Sequence, residues 1–232
     1  APIERNIMLQ VEDLEHLVNS QRTVLSFPMT IGVIPTICPY LLPRFLPVLK
    51  QRYPQFQLKI VEDQSHVLVD MVSRGEIDVA ILALPFPCDG LLSPEFWQED
   101  FYWAAPKGEK HTRQKEISST ELNHCDLMLL KEGHCLRDHV LEACKLPGQT
   151  ANEGFGATSL NTLIQMVLGN MGTTLIPEMA MGALISQHRE LAAVHLKEPG
   201  PHRRIAFVLR PNYTCTSSIE ALIKICKETL TA

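Results

Sequence analysis

Apolar positions along the chain alternate between the spacing of a strand and the spacing of a helix. Between residues 29 and 84, three short β-branched or apolar runs are separated by two amphipathic stretches. The predicted strands are 29–34, 57–61 and 78–84, and the predicted helices are 38–49 and 65–73. The third strand is apolar throughout, as expected for a parallel sheet covered on both faces. This βαβαβ order predicts an α/β fold.

The second half of the chain repeats this alternation. The predicted strands are 101–105, 126–130, 173–176 and 204–209, and the predicted helices are 134–145, 160–168 and 219–230. Ser159 precedes the strongly amphipathic helix at 160–168 and is expected to cap it. In the first helix, Pro43 and Pro47 are expected to cause irregularity, because proline has no N–H to donate.

The two α/β stretches are similar in length, so two Rossmann-like lobes with a ligand-sized cleft between them are expected. Residues 25–97 plus 204–232 are predicted to form lobe I, and 98–203 lobe II. The preceding segment, 1–24, has apolar residues at spacings of four, three and four. They are Ile7, Val11, Leu14 and Val18. This seam predicts either a helix packed on its own domain or the end of a linker or dimerisation helix.

The composition is that of an ordinary globular protein, with 45% hydrophobic and 20% charged residues. A net charge of -5 argues against a surface built to hold nucleic acid. No apolar run approaches the ~20 residues that cross a bilayer, and the charged first 20 residues contain no signal-peptide core. A cytoplasmic location without membrane contact is therefore expected.

Seven cysteines are present, and no pair forms a CxxC motif. Without closely spaced Cys or His ligands, no metal site is expected. The chain also lacks GxSxG, P-loop, HExxH and GxGxxG motifs, so no cofactor is expected. Cys226 shares a helical face with apolar residues and is expected in the core. Four further cysteines lie in or beside predicted loops without activating neighbours: Cys38, Cys88, Cys125 and Cys215.

Cys135 has the most informative surroundings. Gly133 and the polar residues before it predict that Cys135 begins a helix, where backbone N–H groups and the helix dipole stabilise a thiolate. His134 and Arg137 add donors or positive charge. Cys135 is therefore either a reactive thiol or a small buried residue, as free cysteines often are. If it is activated, its alkylation rate should level off below pH ~8.5.

Cys144 follows nine residues after Cys135. On a continuous helix this spacing corresponds to ~13.5 Å of rise and places the two side chains on opposite faces. A disulfide requires Cα atoms ~4.4–6.8 Å apart, so the two thiols can bond only if the helix is remodelled. Such a bond would couple the oxidation state to the backbone conformation.

Four stretches of the sequence resemble the OxyR family, the hydrogen-peroxide-sensing transcription activators of the LysR type. They are GVIPTICPYLLPRFLP (32–47), DVAILAL (78–84), LMLLKEGHCLRDHVLEAC (127–144) and ATSLNTLIQMVLGNMGTTLIP (157–177). The GHCLRD segment with a second cysteine nine residues later is the most specific of these. The resemblance covers residues 26–230 and implies a regulatory domain with a fold like that of type II periplasmic binding proteins, the LysR effector domain.

The resemblance also implies roles for particular residues. Cys135 would be the peroxidatic cysteine and Cys144 the resolving one, and their disulfide would remodel the domain and its dimer interface. Thr36 and His134 match residues around the peroxide pocket, and Asp138 matches an acid that helps the leaving hydroxide. Ser65 stands where the family commonly has threonine. Arg203, next to Arg204, matches a basic residue near the reactive thiol. Residues 145–156 differ from the family pattern.

The family's partners follow from the same resemblance. Members carry an N-terminal winged helix-turn-helix, so the longer protein would bind promoter DNA and contact RNA polymerase, whereas this chain would not. Self-association is implied, as a dimer and as a tetramer at full length. Glutaredoxin or thioredoxin would reduce the disulfide.

Three functions remain open at this point. The first is a peroxide-responsive regulatory domain that reacts stoichiometrically and is not an enzyme. The second is a LysR-type effector domain that binds a small-molecule inducer without redox chemistry. The third is a thiol peroxidase, which would require turnover with a reductant.

Overall fold

The computed structural model describes residues 24–145 and 157–231. Within these residues the strands are β1 (Met29–Val33), β2 (Leu58–Glu62), β3 (Val79–Leu84), β4 (Glu95–Glu99), β5 (Phe101–Pro106), β6 (Glu116–Ile117), β7 (Thr174–Pro177), β8 (Leu191–Leu196) and β9 (Arg203–Leu209). The α-helices are α1 (Cys38–Arg52), α2 (Ser65–Ser73), α3 (Ser119–Leu122), α4 (Cys135–Ala143), α5 (Leu160–Leu168), α6 (Met181–Leu184) and α7 (Thr216–Thr231). Two 3₁₀ helices span Lys110–Arg113 and Glu178–Ala180.

The first sheet has the strand order β2-β1-β3-β9-β4. Strands β1, β2 and β3 run parallel, whereas β9 is antiparallel to both β3 and β4. All six residues of β3 are buried, because helices and neighbouring strands cover both its faces and its edges. Helices α1, α2 and α7 pack around this sheet, and together they form the first lobe.

The second sheet has the order β6-β8-β5-β7, with β5 antiparallel to both of its neighbours. Helix α5 packs on it through a buried apolar face, and the Ser159 side chain caps that helix by accepting the Thr162 N–H. The chain passes from the first sheet to the second at Asp100, between β4 and β5, and returns between β8 and β9. The predicted α/β fold with two sheet-centred lobes is confirmed.

Three features differ from the sequence prediction. Residues 126–130 form isolated bridges instead of a strand, because Leu127 pairs with Thr173 while Leu130 pairs with Ala157. Strands β4, β6 and β8 and the short helices α3 and α6 were not predicted. Helix α1 is continuous through Pro43 and Pro47, so the expected irregularity is wrong. Both prolines lie on the exposed face of α1, where water can satisfy the carbonyl groups that they leave unpaired.

Some predictions fall outside the described residues. These include the apolar seam of the N-terminal segment and nearly all of the stretch at 145–156 that departs from the family pattern. Within the described part, no helix is long and apolar enough to cross a membrane.

Candidate functional site

The N-termini of two helices from different lobes meet at the candidate site. Helix α2 begins at Ser65 and helix α4 begins at Cys135, so both residues named by the sequence lie in a first helical turn. The segment before Cys135 lies against the residue before Ser65: a Cβ atom placed on Gly133 would be 2.7 Å from Gln64 Oε1. Glycine suits this position for two reasons. It has no Cβ to contact Gln64, and its φ of +93° is one that residues with side chains rarely adopt.

Replacing Gly133 with alanine is expected to lower the free energy of unfolding by about 1–2 kcal/mol. At left-handed φ the Cβ of an L-residue comes too close to the following carbonyl oxygen. The new methyl group would also displace Gln64 and so widen the gap between the two helix termini. Urea unfolding measures the loss of stability. Gly108→Ala is the control, since no atom lies within 4 Å of its Cβ position. Equal effects of the two substitutions would contradict the prediction.

Cys135 lies at the start of α4, as predicted, but the residue is only 4% exposed. Burial raises the pKa of Cys135, and the charge of Asp138 acts in the same direction. The nearby Ser65 hydroxyl, the positive charge of Arg203 and the backbone N–H at the helix terminus lower it. Burial has the largest effect, so the pKa of Cys135 is raised even though the helix terminus favours the thiolate as predicted.

The alkylation rate of Cys135 is therefore expected to rise continuously from about pH 8 to about pH 10, since only the thiolate reacts. The raised pKa means that the thiolate fraction still grows above the pKa of a free thiol. Site-resolved mass spectrometry after timed iodoacetamide labelling gives the profile. Glutathione in the same solution serves as the unburied reference. A plateau below pH ~8.5 would instead support an activated thiolate.

A fully buried ion pair stands beside the thiol. Arg203 and Glu99 have no exposed side-chain area, and Arg203 Nε lies 2.6 Å from Glu99 Oε1. The guanidinium also donates to Thr36, from Nη1 to Oγ1 and from Nη2 to the backbone oxygen, at 3.2 Å each. Glu99 Oε2 in turn accepts the Met179 N–H at 2.7 Å. The arrangement fixes a positive charge near Cys135 in a dry environment, where it acts strongly.

Two buried hydroxyl groups complete this environment. Thr36 Oγ1 accepts a hydrogen bond from Arg203, so its own proton remains available to a further acceptor. Ser65 Oγ is buried, and apart from its interaction with the Cys135 thiol it has no hydrogen-bond partner among the described residues. Since buried polar groups are normally paired and a thiol is only a weak partner, this hydroxyl indicates a place for a small polar ligand.

The remaining predicted residues are less central. His134 is buried as the residue that precedes α4, and burial lowers the pKa of its ring, which favours the neutral form. Asp138 is exposed, so the structure places it at the edge of the site and not among the buried groups. Of the two adjacent arginines, Arg203 enters the site, whereas Arg204 pairs with Glu95 at the surface.

Cys144 directly follows the last residue of α4 and is 2% exposed. Burial, with a contribution from the charge of Glu198, raises the pKa of Cys144 to about 12. All seven cysteines are free thiols. Because α4 is an intact helix from Cys135 to Ala143, the two thiols stand at its opposite ends, about 13 Å apart along the axis.

Sequence reasoning missed two residues. Nothing in the sequence indicated that Glu99 is buried, because it ends a strand that was not predicted and carboxylates usually lie at the surface. His139 gave a weak signal, since it lies four residues after Cys135 and therefore on the same face of α4. Within the described residues, no group of three or more His, Cys, Asp or Glu side chains could hold a metal ion.

Comparison with known proteins agrees with this architecture. The LysR substrate binding domain family matches residues 26–231. The regulator EstR of Acinetobacter baylyi is 33% identical over 223 residues, which cover 96% of this chain and 74% of EstR. A probable hydrogen peroxide-inducible genes activator of Mycobacterium leprae is 36% identical over 201 residues, which cover 86% of this chain and 64% of that protein. The chain thus spans about two thirds to three quarters of the length of these relatives.

The chain therefore belongs to the LysR substrate-binding domain family, with a fold like that of type II periplasmic binding proteins. Within this family it is similar to the hydrogen peroxide-inducible activators and to OxyR. An H₂O₂-bound OxyR variant of Corynebacterium glutamicum is 28% identical and matches with a TM-score of 0.88, covering 99% of this chain and 73% of that one. The resemblance stated from the sequence is confirmed.

Proposed function

We propose that this chain is the sensor domain of a peroxide-responsive transcription regulator, with Cys135 as the group that hydrogen peroxide oxidises. One observation carries the proposal: a buried thiol begins a helix and faces a buried arginine and two hydroxyl groups that can still donate. These donors suit a ligand as small and polar as H₂O₂. The relatives named for peroxide induction or bound to H₂O₂ support the same substrate.

In the first step, the Cys135 sulfur attacks one peroxide oxygen. The S–O bond forms as the O–O bond breaks, and the leaving hydroxide takes the thiol proton and departs as water. Thr36 and Ser65 are proposed to hold the peroxide oxygens, while Arg203 stabilises the negative charge that develops. His134, being neutral, can donate or accept one hydrogen bond. Asp138, at the edge of the site, is proposed to assist the departing hydroxide.

In the second step, the sulfenic acid of Cys135 condenses with the Cys144 thiol. The S–S bond forms, the S–O bond breaks, and water leaves with the thiol proton. Because the thiols stand at opposite ends of α4, this bond requires the helix to unwind. Oxidation would thereby alter the surface of the lobe that carries α4 and change the contacts between copies of the protein.

The proposal extends to the longer protein. We propose two lobes close to the predicted 25–97 plus 204–232 and 98–203, with the boundaries moved to Asp100 and Arg203 so that β4 and β9 stay whole in the first lobe. We also propose that 1–24 ends a linker helix. A DNA-binding segment would bind promoter DNA and contact RNA polymerase as a dimer or tetramer in the cytoplasm. A thiol reductant such as glutaredoxin or thioredoxin would reset the sensor. Each sensor chain would react with one H₂O₂ molecule and then remain oxidised until it is reduced, so it would not turn over as an enzyme.

The test is stoichiometric oxidation followed by mass spectrometry of the cysteine-containing peptides. One equivalent of H₂O₂ is expected to produce a Cys135–Cys144 disulfide and to leave the other five thiols intact. A chain that stays reduced, or that links other cysteines, would refute the proposal. Sustained peroxide consumption with a reductant would instead indicate a thiol peroxidase.

A second candidate function is a LysR-type effector domain that responds to a bound metabolite. The similarity to EstR, whose name does not refer to peroxide, favours it. Calorimetry with candidate metabolites, combined with a promoter response that survives Cys135→Ala, would support this function. Loss of the response in Cys135→Ala would exclude it in favour of peroxide sensing.

A further inference from the structure

A buried histidine joins the helix that carries Cys135 to the opposite lobe. His139 Nε2 lies 2.8 Å from the carbonyl oxygen of Pro85, which directly follows β3 of the first sheet. A carbonyl oxygen can only accept a hydrogen bond, so the ring must carry its proton on Nε2 and donate. The histidine is 3% exposed, so water does not compete for this bond.

His139 and Cys135 lie on the same face of α4. They are four residues apart, or about one helical turn, so their side chains are neighbours along the helix. His139 Nδ1 has no hydrogen-bond partner among the described residues. Burial lowers the pKa of His139, which keeps the ring neutral and makes the bond to Pro85 independent of charge. The face that carries the reactive thiol is therefore tied directly to the first lobe.

We infer that His139 is a positioning residue that holds α4 in its helical form through its hydrogen bond to Pro85. This inference rests on the proposed function. His139 lies in the middle of the segment between Cys135 and Cys144, so unwinding that segment must move its ring and break the bond. The bond therefore opposes condensation of the Cys135 sulfenic acid with the Cys144 thiol. It does not oppose the earlier attack on peroxide, during which the helix can stay intact.

The expected effect follows from the ordinary net strength of a hydrogen bond. Removing the donor should accelerate local opening of α4 and disulfide closure by about three- to tenfold. Replacing the ring with a side chain that still donates should leave both rates close to those of the parent chain. This contrast separates the hydrogen bond from the volume of the side chain.

The experiment compares His139→Leu, which removes the donor, with His139→Gln, whose amide N–H can still reach the Pro85 oxygen. Amide hydrogen exchange in the reduced chain reports opening of α4, with α7 amides as the internal reference. Rapid quenching after H₂O₂, followed by thiol labelling and mass spectrometry, gives separate rates for Cys135 oxidation and disulfide closure. If His139→Leu does not fold, His139→Met is the second variant without a donor.

The inference is supported if exchange in α4 and disulfide closure accelerate in the variant without a donor, Cys135 oxidation changes by less than about twofold, and His139→Gln behaves like the parent. It is overturned if exchange in α4 is unchanged in the apolar variant, or if glutamine has the same effect as leucine. Faster exchange in a chain that forms no Cys135–Cys144 disulfide would leave the positioning role intact and reject the proposed function.

Discussion

Replacing Arg203 with methionine is expected to lower the free energy of unfolding by about 3–5 kcal/mol. The substitution leaves the Glu99 carboxylate in a place with no exposed side-chain area and no compensating charge. It also removes the two hydrogen bonds that Arg203 donates to Thr36. A buried charge without a partner is far more costly than the loss of the pair as a whole. Urea unfolding followed by circular dichroism measures the change.

Two control variants test the physical reason for this loss. In Arg203→Met combined with Glu99→Gln, no charge remains, while the amide oxygen can still accept the Met179 N–H. This double variant is expected to recover a large part of the stability. Arg204→Ala removes the adjacent arginine, whose partner Glu95 is partly exposed, and is expected to cost at most about 1 kcal/mol. Equal losses for Arg203→Met and Arg204→Ala would contradict the buried-pair explanation.

Replacing Cys135 with serine is expected to abolish the oxidation that peroxide produces in the parent chain, because a hydroxyl lacks the nucleophilic sulfur. Replacing Cys144 with serine should allow the first step only, so that Cys135 stops at the sulfenic acid or proceeds to the sulfinic acid. Mass spectrometry resolves these products as mass increases on the Cys135 peptide. The two variants therefore divide the reaction into its two steps.

Cys38→Ser provides a matched control, since Cys38 is also a buried thiol at the first position of a helix. Its surroundings differ in charge. Burial and the hydrogen bond and charge of Glu62 raise the pKa of Cys38 to about 12. Burial raises the pKa of Cys135 as well, but there Ser65 and Arg203 oppose the rise. Cys38→Ser is therefore expected to respond to peroxide like the parent chain. Loss of the response in this variant would show that peroxide sensing needs Cys38, and would contradict the selection of Cys135 by its neighbouring charges.

Local patterns in the sequence predicted most of the fold. The βαβαβ order, the start of α2 at Ser65 and the capping of α5 by Ser159 depend on residues close together in the chain. Predictions were wrong or missing where distant segments decide the outcome. Residues 126–130 have the composition of a strand, but their two ends pair with different partners. Strand β4 exists because β9 pairs with it, and that pairing joins residues more than 100 positions apart.

The candidate site shows the same division. Local sequence was enough to predict that Cys135 begins a helix, that Gly133 permits the turn before it, and that Cys144 stands at the opposite end of the helix. These properties depend only on helix geometry and on the backbone freedom of glycine. The resemblance to a known family named the other site residues without showing how they interact.

The charges and donors that surround the thiol are set by tertiary packing. It placed Arg203 and not Arg204 in the core, supplied Glu99 as its partner, and left the Ser65 hydroxyl with only the Cys135 thiol beside it. It also buried Cys135, so that the pKa rises although the helix terminus favours the thiolate. Burial and electrostatic pairing depend on segments that meet only when the two lobes pack together, and no local pattern encodes that meeting.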